Sequence, residues 1–429
     1  MIRALYALAW WLLMPFVLAR LAWRARRDSG YLHAIGERFG LNSGALPAPR
    51  IWVHAVSVGE TRAAAPIVEA LERRFPGHRI LLTHMTPTGR AAGIELFGDR
   101  VERAWLPYDL GFATRRFIAA WRPSFGLVLE TEIWPRLLEE CSRSGIPVGL
   151  ANARLSERSA RRYARWPGFT RWALQGLAGI AAQGQADADR FLGLGARAVQ
   201  VTGNVKYDVS VPAAMRELGE RFRARFGATR EVWVAGSTRE GEEALLLDAF
   251  ARMPPREAEL LVLVPRHPHR FGEVAALAGA RGFAVSRRSD DNAVDCATRV
   301  VVGDSMGEML AYYAAADVVL MGGSLLDFGS QNLIEPCALG KPVVVGPSTY
   351  NFEDVANGAI RAGAAVRVTD AATAIDVARA IGSDAARRSQ MGEKALAFVA
   401  AHGGAVGRLM EWVEAALASS ARLNARGRG

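Results

Sequence analysis

Residues Met321–Phe352 read MGGSLLDFGSQNLIEPCALGKPVVVGPSTYNF. The apolar run Val318–Met321 breaks at Gly322-Gly323-Ser324, as a buried parallel strand ends in a turn. After a second Gly/Ser turn, Asn332 stands where a helix cap belongs, and Glu335 three residues on nearly completes a capping box. That helix is expected to stop at Gly340, and Pro342–Pro347 (PVVVGP) reads as the next buried strand. Strand, glycine turn, helix start and strand put backbone N–H groups and a carboxylate at the carboxyl edge of a parallel sheet. Open α/β sheets bind nucleotides there. An ordinary βαβ unit with ordinary turns has the same pattern.

A chain of 429 residues exceeds one core of typical size, so two domains are expected. Its 50% hydrophobic and 22% charged content is that of a globular α/β protein. A net charge of +10 points to an anionic partner: nucleic acid, a phosphorylated small molecule or an anionic membrane surface. Cys141, Cys296 and Cys337 are widely spaced with no CxxC pair, which disfavours a disulfide framework or a zinc site and fits a reducing compartment. The histidines include no HExxH or other helical ligand pair, and no metal site is expected.

Residues 1–27 read as a membrane anchor with a basic flank. Ala4–Ala19 carries no charge, and apolar character resumes after Arg20 at Leu21-Ala22-Trp23. The run is short of the roughly 20 residues that cross a bilayer unless Arg20 snorkels, so spanning and lying flat both stay open. Trp10, Trp11 and Trp23 suit an interface, and Arg20, Arg24, Arg26 and Arg27 outweigh Arg3, which keeps the rest of the chain cytoplasmic. A cleaved signal peptide fits less well, because the charge follows the apolar run and no small-x-small site comes after it.

Residues 28–209 alternate strands and helices, as a parallel sheet requires. Ile51–Ala55 is a strand, and Ser57-Val58-Gly59-Glu60-Thr61 turns into a helix. Glu60 at that turn is either a general base or simply a carboxylate favoured by a helix N-terminus. Arg79–Leu82 and Phe125–Leu129 are further strands, the second ending in Glu130-Thr131-Glu132. Two carboxylates at one strand terminus repel each other, and such pairs often mark a site. Pro147–Leu150 follows, then Arg154, Arg158, Arg161, Arg162 and Arg165 interleaved with Tyr163, Trp166 and Trp172. That run is either a solvated helix face or a surface for phosphate-bearing lipid; no nucleic-acid motif accompanies it. A strand from Val199 leads to Lys206.

Residues 210–229 read as a linker region with a charged helical segment, and 230–385 as a second α/β series. Its strands are Glu231–Ala235, Leu260–Val264 and Val300–Val302. They end in Gly236-Ser237-Thr238-Arg239, Pro265-Arg266-His267-Pro268 and Gly303-Asp304-Ser305-Met306-Gly307-Glu308. An arginine held between prolines at a strand end suits a phosphate or carboxylate. Residues 386–429 read as C-terminal helices and a tail.

The motifs run in order along essentially the whole chain: WVHAVSVGE (Trp52–Glu60), TPTG (Thr86–Gly89), ETEIWP (Glu130–Pro135), NARLSERS (Asn152–Ser159) and TGNVKYD (Thr202–Asp208). They continue through AGST (Ala235–Thr238), PRHP (Pro265–Pro268), GDSMGEM (Gly303–Met309), GGSL (Gly322–Leu325) and NLIEP (Asn332–Pro336). Together they resemble the Kdo transferases, bacterial inner-membrane enzymes that pass 3-deoxy-D-manno-octulosonic acid (Kdo) from CMP-Kdo to the lipid A precursor of lipopolysaccharide.

The resemblance implies a GT-B glycosyltransferase: two Rossmann-like domains facing across a cleft, with an N-terminal membrane-anchor helix at the cytoplasmic side of the inner membrane. It assigns 28–209 to the acceptor, an anionic acylated lipid A precursor, and 230–385 to CMP-Kdo, with no cofactor, no metal and no nucleic-acid partner. By the same resemblance Glu60 matches the general base, and Glu130 and Lys206 match groups that stabilise the transition state. Pro265, Arg266, Met306, Gly307, Glu308, Asn332, Leu333, Ile334 and Glu335 match segments that contact CMP. Two positions depart from the pattern: Arg239 stands where histidine is expected after AGST, and Ser330-Gln331 where Gly-His is expected. The alternatives are a GT-B transferase using another activated sugar, a non-catalytic membrane-bound nucleotide-sugar-binding protein and, more remotely, a nucleic-acid binder.

Overall fold

A computed structural model describes residues 1–42, 49–290 and 294–426. The chain divides into two compact units, Met1–Asp208 with Gly403–Gly429, and Val209–His402.

The first unit is built on seven strands: β1 Arg50–His54, β2 Arg79–His84, β3 Val101–Trp105, β4 Pro123–Leu129, β5 Val148–Ala153, β6 Gly179–Ala182 and β7 Val199–Val201. They form one sheet in the order β3-β2-β1-β4-β5-β6-β7, and every pairing is parallel. Both faces are covered, which is why the strands read as continuous apolar runs. Ile51 and Val53 enter one core cluster with Leu409 and Trp412, while Trp52 between them enters the other with Phe117 and Leu150. Two strands of this unit went unread in the sequence. β3 (VERAW) is an edge strand whose Glu102 and Arg103 break the apolar run, and β6 (GIAA) is built of small residues with little strand preference.

The second unit repeats the plan with β8 Glu231–Thr238, β9 Glu259–Pro265, β10 Val285–Arg287, β11 Val300–Val302, β12 Val318–Met321, β13 Val343–Val345 and β14 Ala365–Arg367. The order is β10-β11-β9-β8-β12-β13-β14, again wholly parallel. In each sheet the strand order reverses once, beside β1/β4 and beside β8/β12, and such switch points leave crevices at the carboxyl ends of the strands.

Two segments differ from the sequence reading. Residues 210–229 are not a free linker: the helix Ala213–Phe226 packs into the second unit, its Phe222 ring 4.8 Å from that of Tyr312. Residues 386–429 are not one block. The helix Ala385–His402 belongs to the second unit, whereas Ala405–Arg426 returns to the first and inserts Leu409 and Trp412 into its core. Apolar periodicity shows that a helix has a buried face but not which core receives it. Residues 427–429 of the expected tail lie outside the described residues.

Candidate active site

At the switch point of the first unit, β1 runs out at His54 and the helix Val58–Arg74 begins behind Ser57. Glu60 folds back over that helix start. Its carboxylate accepts the Val56 N–H at 2.9 Å and the Ser57 hydroxyl at 3.0 Å, while the Ser57 oxygen caps the Glu60 N–H. This is a variant of the capping box in which the carboxylate reaches past the cap residue's own N–H to that of Val56. Burial nevertheless pushes the Glu60 carboxyl up to about 7; the Val56 and Ser57 hydrogen bonds oppose the rise, and Glu130 and Glu132 add to it. Glu132 is itself raised, first by burial and then by Glu130.

Glu130 follows β4, the strand beside β1, with a left-handed backbone (φ +56°) that non-glycine residues seldom adopt. Its carboxylate lies 3.6 Å from the Lys206 ammonium. Lys206 sits on the single turn Val205–Tyr207, which is pinned from behind by buried Asn152 at the end of β5. The Asn152 side-chain oxygen accepts the Val205 N–H at 3.2 Å, and its backbone is also left-handed (φ +51°). The three expected catalytic residues thus come from turns that follow β1, β4 and β7, and Glu60 feels the Glu130 charge beside it. The signal for Asn152 was present in NARLSERS, but its role depends on a contact 53 residues away in sequence.

Behind the Glu60 turn lie two wholly buried histidines. His84 Nδ1 is 2.9 Å from the Ala55 carbonyl, and His54 Nδ1 is within hydrogen-bonding distance of Thr83. Burial pushes both rings down, to about 3 for His54 and about 4 for His84, and holds them neutral.

In the second unit the expected donor-contacting segments follow neighbouring strand ends: Met306–Glu308 after β11, Pro265–Arg266 at β9, and Asn332–Glu335 after β12. The Arg266 N–H donates to the Thr238 carbonyl, joining the ends of β9 and β8. Arg239 and Arg266 crowd His267, which burial and then these cations push down. Gly307 is left-handed (φ +78°), Met306 is exposed, and Glu308 accepts from Arg288 and Ser305. Leu333 and Ile334 are fully buried, so at that helix start they offer only backbone to a ligand. The helix is shorter than expected, Ile334–Ala338, and Asn332 caps its first residue while also donating to Glu335.

The glycine turn of the opening stretch is held by Glu242, a residue that the sequence does not mark out. Glu242, 1% exposed, accepts the N–H groups of Gly323 (2.7 Å), Arg239 (2.8 Å) and Leu325 (2.9 Å). Its neighbour Glu243 is clamped by Arg270 and the Thr238 hydroxyl. Gly322 has no room for a side chain: a Cβ would fall 2.4 Å from the Ser237 carbonyl. The two departures from the family pattern meet here, since Arg239 and Gln331 both lie against Gly323 and the Arg239 guanidinium stacks over Phe328 at 4.6 Å.

The sequence profile of a family described as 3-deoxy-D-manno-octulosonic-acid transferase (kdotransferase) matches residues 33–209. A 3-deoxy-D-manno-octulosonic acid transferase of Bordetella pertussis is 45% identical, over 96% of this chain and 99% of that one. The chain belongs to the Kdo transferase family. A Haemophilus influenzae transferase of the same name is 34% identical over 92% of this chain and 94% of its own length. Among solved structures, a glycosyltransferase from Rickettsia africae superposes with a TM-score of 0.55 at 13% identity, covering 86% of this chain and 98% of that one. A putative UDP-N-acetylglucosamine 2-epimerase from Listeria monocytogenes gives 0.52 at 14%, over 85% and 95%. These likenesses show the fold, GT-B, and the family makes the chain a glycosyltransferase.

Proposed function

We propose that the chain transfers Kdo from CMP-Kdo to the lipid A precursor, an anionic acylated disaccharide, with inversion, at the cytoplasmic side of the inner membrane. The observation that carries the reading is Glu60: a carboxylate at a sheet switch point, raised to about 7 by burial, beside the Glu130–Lys206 pair. A general base works best when its pKa lies near the working pH. Family membership supplies the sugar and the class of reaction.

In this reading the acceptor hydroxyl oxygen attacks the anomeric carbon of Kdo from the face opposite CMP. Its proton passes to Glu60. The bond to the phosphate oxygen breaks, and CMP leaves with the electron pair. Lys206, steadied by Glu130, offsets negative charge near the reacting groups. Arg266 and Arg239, with the N–H groups at the start of Ile334–Ala338, meet the phosphate and the Kdo carboxylate. Glu335 and Glu308 keep those segments in shape, Glu308 by holding Arg288 and Ser305.

A second reading, another activated sugar acid as donor, is favoured by one observation: Arg239 and Gln331, both departures from the family pattern, lie together against Gly323. Transfer from CMP-Kdo, followed by product mass and compared between the native chain and Glu60→Gln, tests both. Loss of about three orders of magnitude in the variant with CMP binding kept is the expected result. Unchanged turnover would remove Glu60 as the base, and tight CMP binding without Kdo transfer by the native chain would select the second reading.

A further inference from the structure

We propose that the N-terminal helix Ile2–Ala25 lies in the plane of an anionic phospholipid leaflet as a seat for the first unit, and does not cross the bilayer. The inference rests on the reading that the chain works at a membrane, and it decides how the helix meets that membrane.

The helix is apolar enough to span. It is also docked along one narrow stripe at helical spacing: Tyr6, Trp10, Met14, Val17, Leu21 and Arg24 turn towards the first unit, and nearly every other side chain is exposed. The Tyr6 hydroxyl donates to Asp109 at 2.7 Å, and buried Asp109 also accepts the N–H groups of Arg136 and Leu137. Trp10 packs on Tyr108, and Met14 joins Tyr108, Leu110 and Ala113 in a small core. Arg3 pairs with Glu139 at 2.9 Å, and Arg24 lies over Tyr31.

Contact with Glu139, Asp109, Tyr108 and their neighbours runs from Arg3 to Val17, about 21 Å of helix at 1.5 Å per residue and some two-thirds of a bilayer's hydrocarbon core, and beyond it Leu21 is buried too. A spanning helix would carry Asp109, Arg136, Glu139 and the rest of the docked surface into hydrocarbon, where ionised groups are costly. Lying flat removes the conflict. The face turned away from the unit carries Leu5, Leu8, Leu12, Phe16, Ala19 and Trp23 at intervals of three and four residues, without a charge. Leu12 is 64% and Phe16 73% exposed. A helix with such a face rests 5–10 Å into the headgroup boundary, as a rough figure.

The same surface continues onto the corner between the helices Glu157–Ala164 and Pro167–Gln175. An apolar groove of about 490 Å³ runs between Ile2, Leu5 and Ala9 on one side and Trp166, Pro167 and Phe169 on the other. Trp166 is 70% exposed at its rim, and the exposed Arg158, Arg161, Arg162 and Arg165 stand beside it. An aromatic at the edge of an apolar surface, with cations alongside, matches the acyl–headgroup boundary of an anionic leaflet.

Spin labels on the full chain test this. In a Cys296→Ser background, single cysteines at Leu5, Leu8, Leu12, Phe16 and Ala19 are labelled in vesicles of phosphatidylcholine and phosphatidylglycerol, and depth is read by oxygen and nickel accessibility. These sites are exposed, so labelling leaves the packed core untouched. The expected result is one shallow depth along the row, with position 5 equal to position 19. A depth that peaks near Leu12 and falls to the headgroups at both ends would overturn the in-plane seat while leaving membrane action intact. Failure of the native chain to bind vesicles at all would overturn both. Arg158→Glu with Arg165→Glu is expected to weaken binding to the anionic vesicles about tenfold or more; unchanged affinity would remove the headgroup part of the proposal.

Discussion

Replacing Glu242 by alanine should collapse the glycine turn that precedes Asn332–Glu335. The native carboxylate, 1% exposed, is the acceptor for three backbone N–H groups, those of Gly323, Arg239 and Leu325, at 2.7–2.9 Å. Hydrogen bonds to a charged group contribute about 1.5–3 kcal/mol each, and a buried donor left without a partner costs about 1–3 kcal/mol. Three bonds give an upper figure near 9 kcal/mol; water entering the space left by the side chain returns part of it, so about 3–6 kcal/mol is the expected loss. That is a large share of the roughly 5–15 kcal/mol that holds a folded domain. Glutamine should not rescue the site, because one of its two ends presents donors to donors. Native-state hydrogen exchange read by mass spectrometry on a peptide covering Met321–Leu325 is the assay: these amides should lose protection in Glu242→Ala before the rest of the second unit does. Cytidine nucleotide affinity should fall in parallel. Unchanged protection at these amides, or a loss below about 1 kcal/mol, would refute the reasoning, since the three bonds would then not be what holds the turn.

In the proposed mechanism Glu60 takes the proton as the carboxylate, and with its pKa raised to about 7 the kcat/KM for transfer should climb with pH through about 7 and level off above it. Ser57→Ala removes a hydrogen bond that favours the ionised form, so the acid limb should move to higher pH; a limb that stays put would show that the bond does not tune the base. Stability should follow the two buried histidines. Their rings are depressed in the folded state to about 3 and about 4, below the unfolded value near 6.5, so the unfolded chain binds protons first. The stability they contribute is full above about 6.5 and is lost as pH falls, at most about 1.4 kcal/mol per pH unit for each ring. The raised carboxyls of Glu60, Glu132 and Asp109 act in the opposite sense over the same range, so the check is the difference in urea midpoints between the native chain and His54→Asn from pH 7 to 4.5; a difference that does not change with pH would refute the histidine contribution.

The strand–turn–helix–strand unit of the second sheet was legible from Met321–Phe352, because glycine turns and valine runs punctuate the chain plainly, but that the unit stands at a switch point needs the strand order. Glu60 shows why local reading stalls at a choice. Cap and proposed base are the same side chain, and only the burial supplied by distant residues separates it from an ordinary helix start. Glu242 was invisible for the opposite reason: its partners Gly323 and Leu325 lie about eighty residues further on, and nothing in GEEAL announces them. The N-terminal run was readable as apolar, but its docked stripe of Tyr6, Trp10, Met14, Val17 and Leu21 is hardly more or less apolar than its outer face, so composition carried no sign of which side faces protein.

The helix Ala405–Arg426 gives the first unit a dependence on the order of synthesis. Gly149 of β5 and Gly179 of β6 press directly on the Trp412 ring, and Leu409 and Val413 fill the same face of the sheet. These residues leave the ribosome only after the whole of Val209–His402. The unit that begins first is therefore sealed last. Until then an apolar sheet face stays open, and a nascent chain halted after His402 would present it to whatever membrane or chaperone is near.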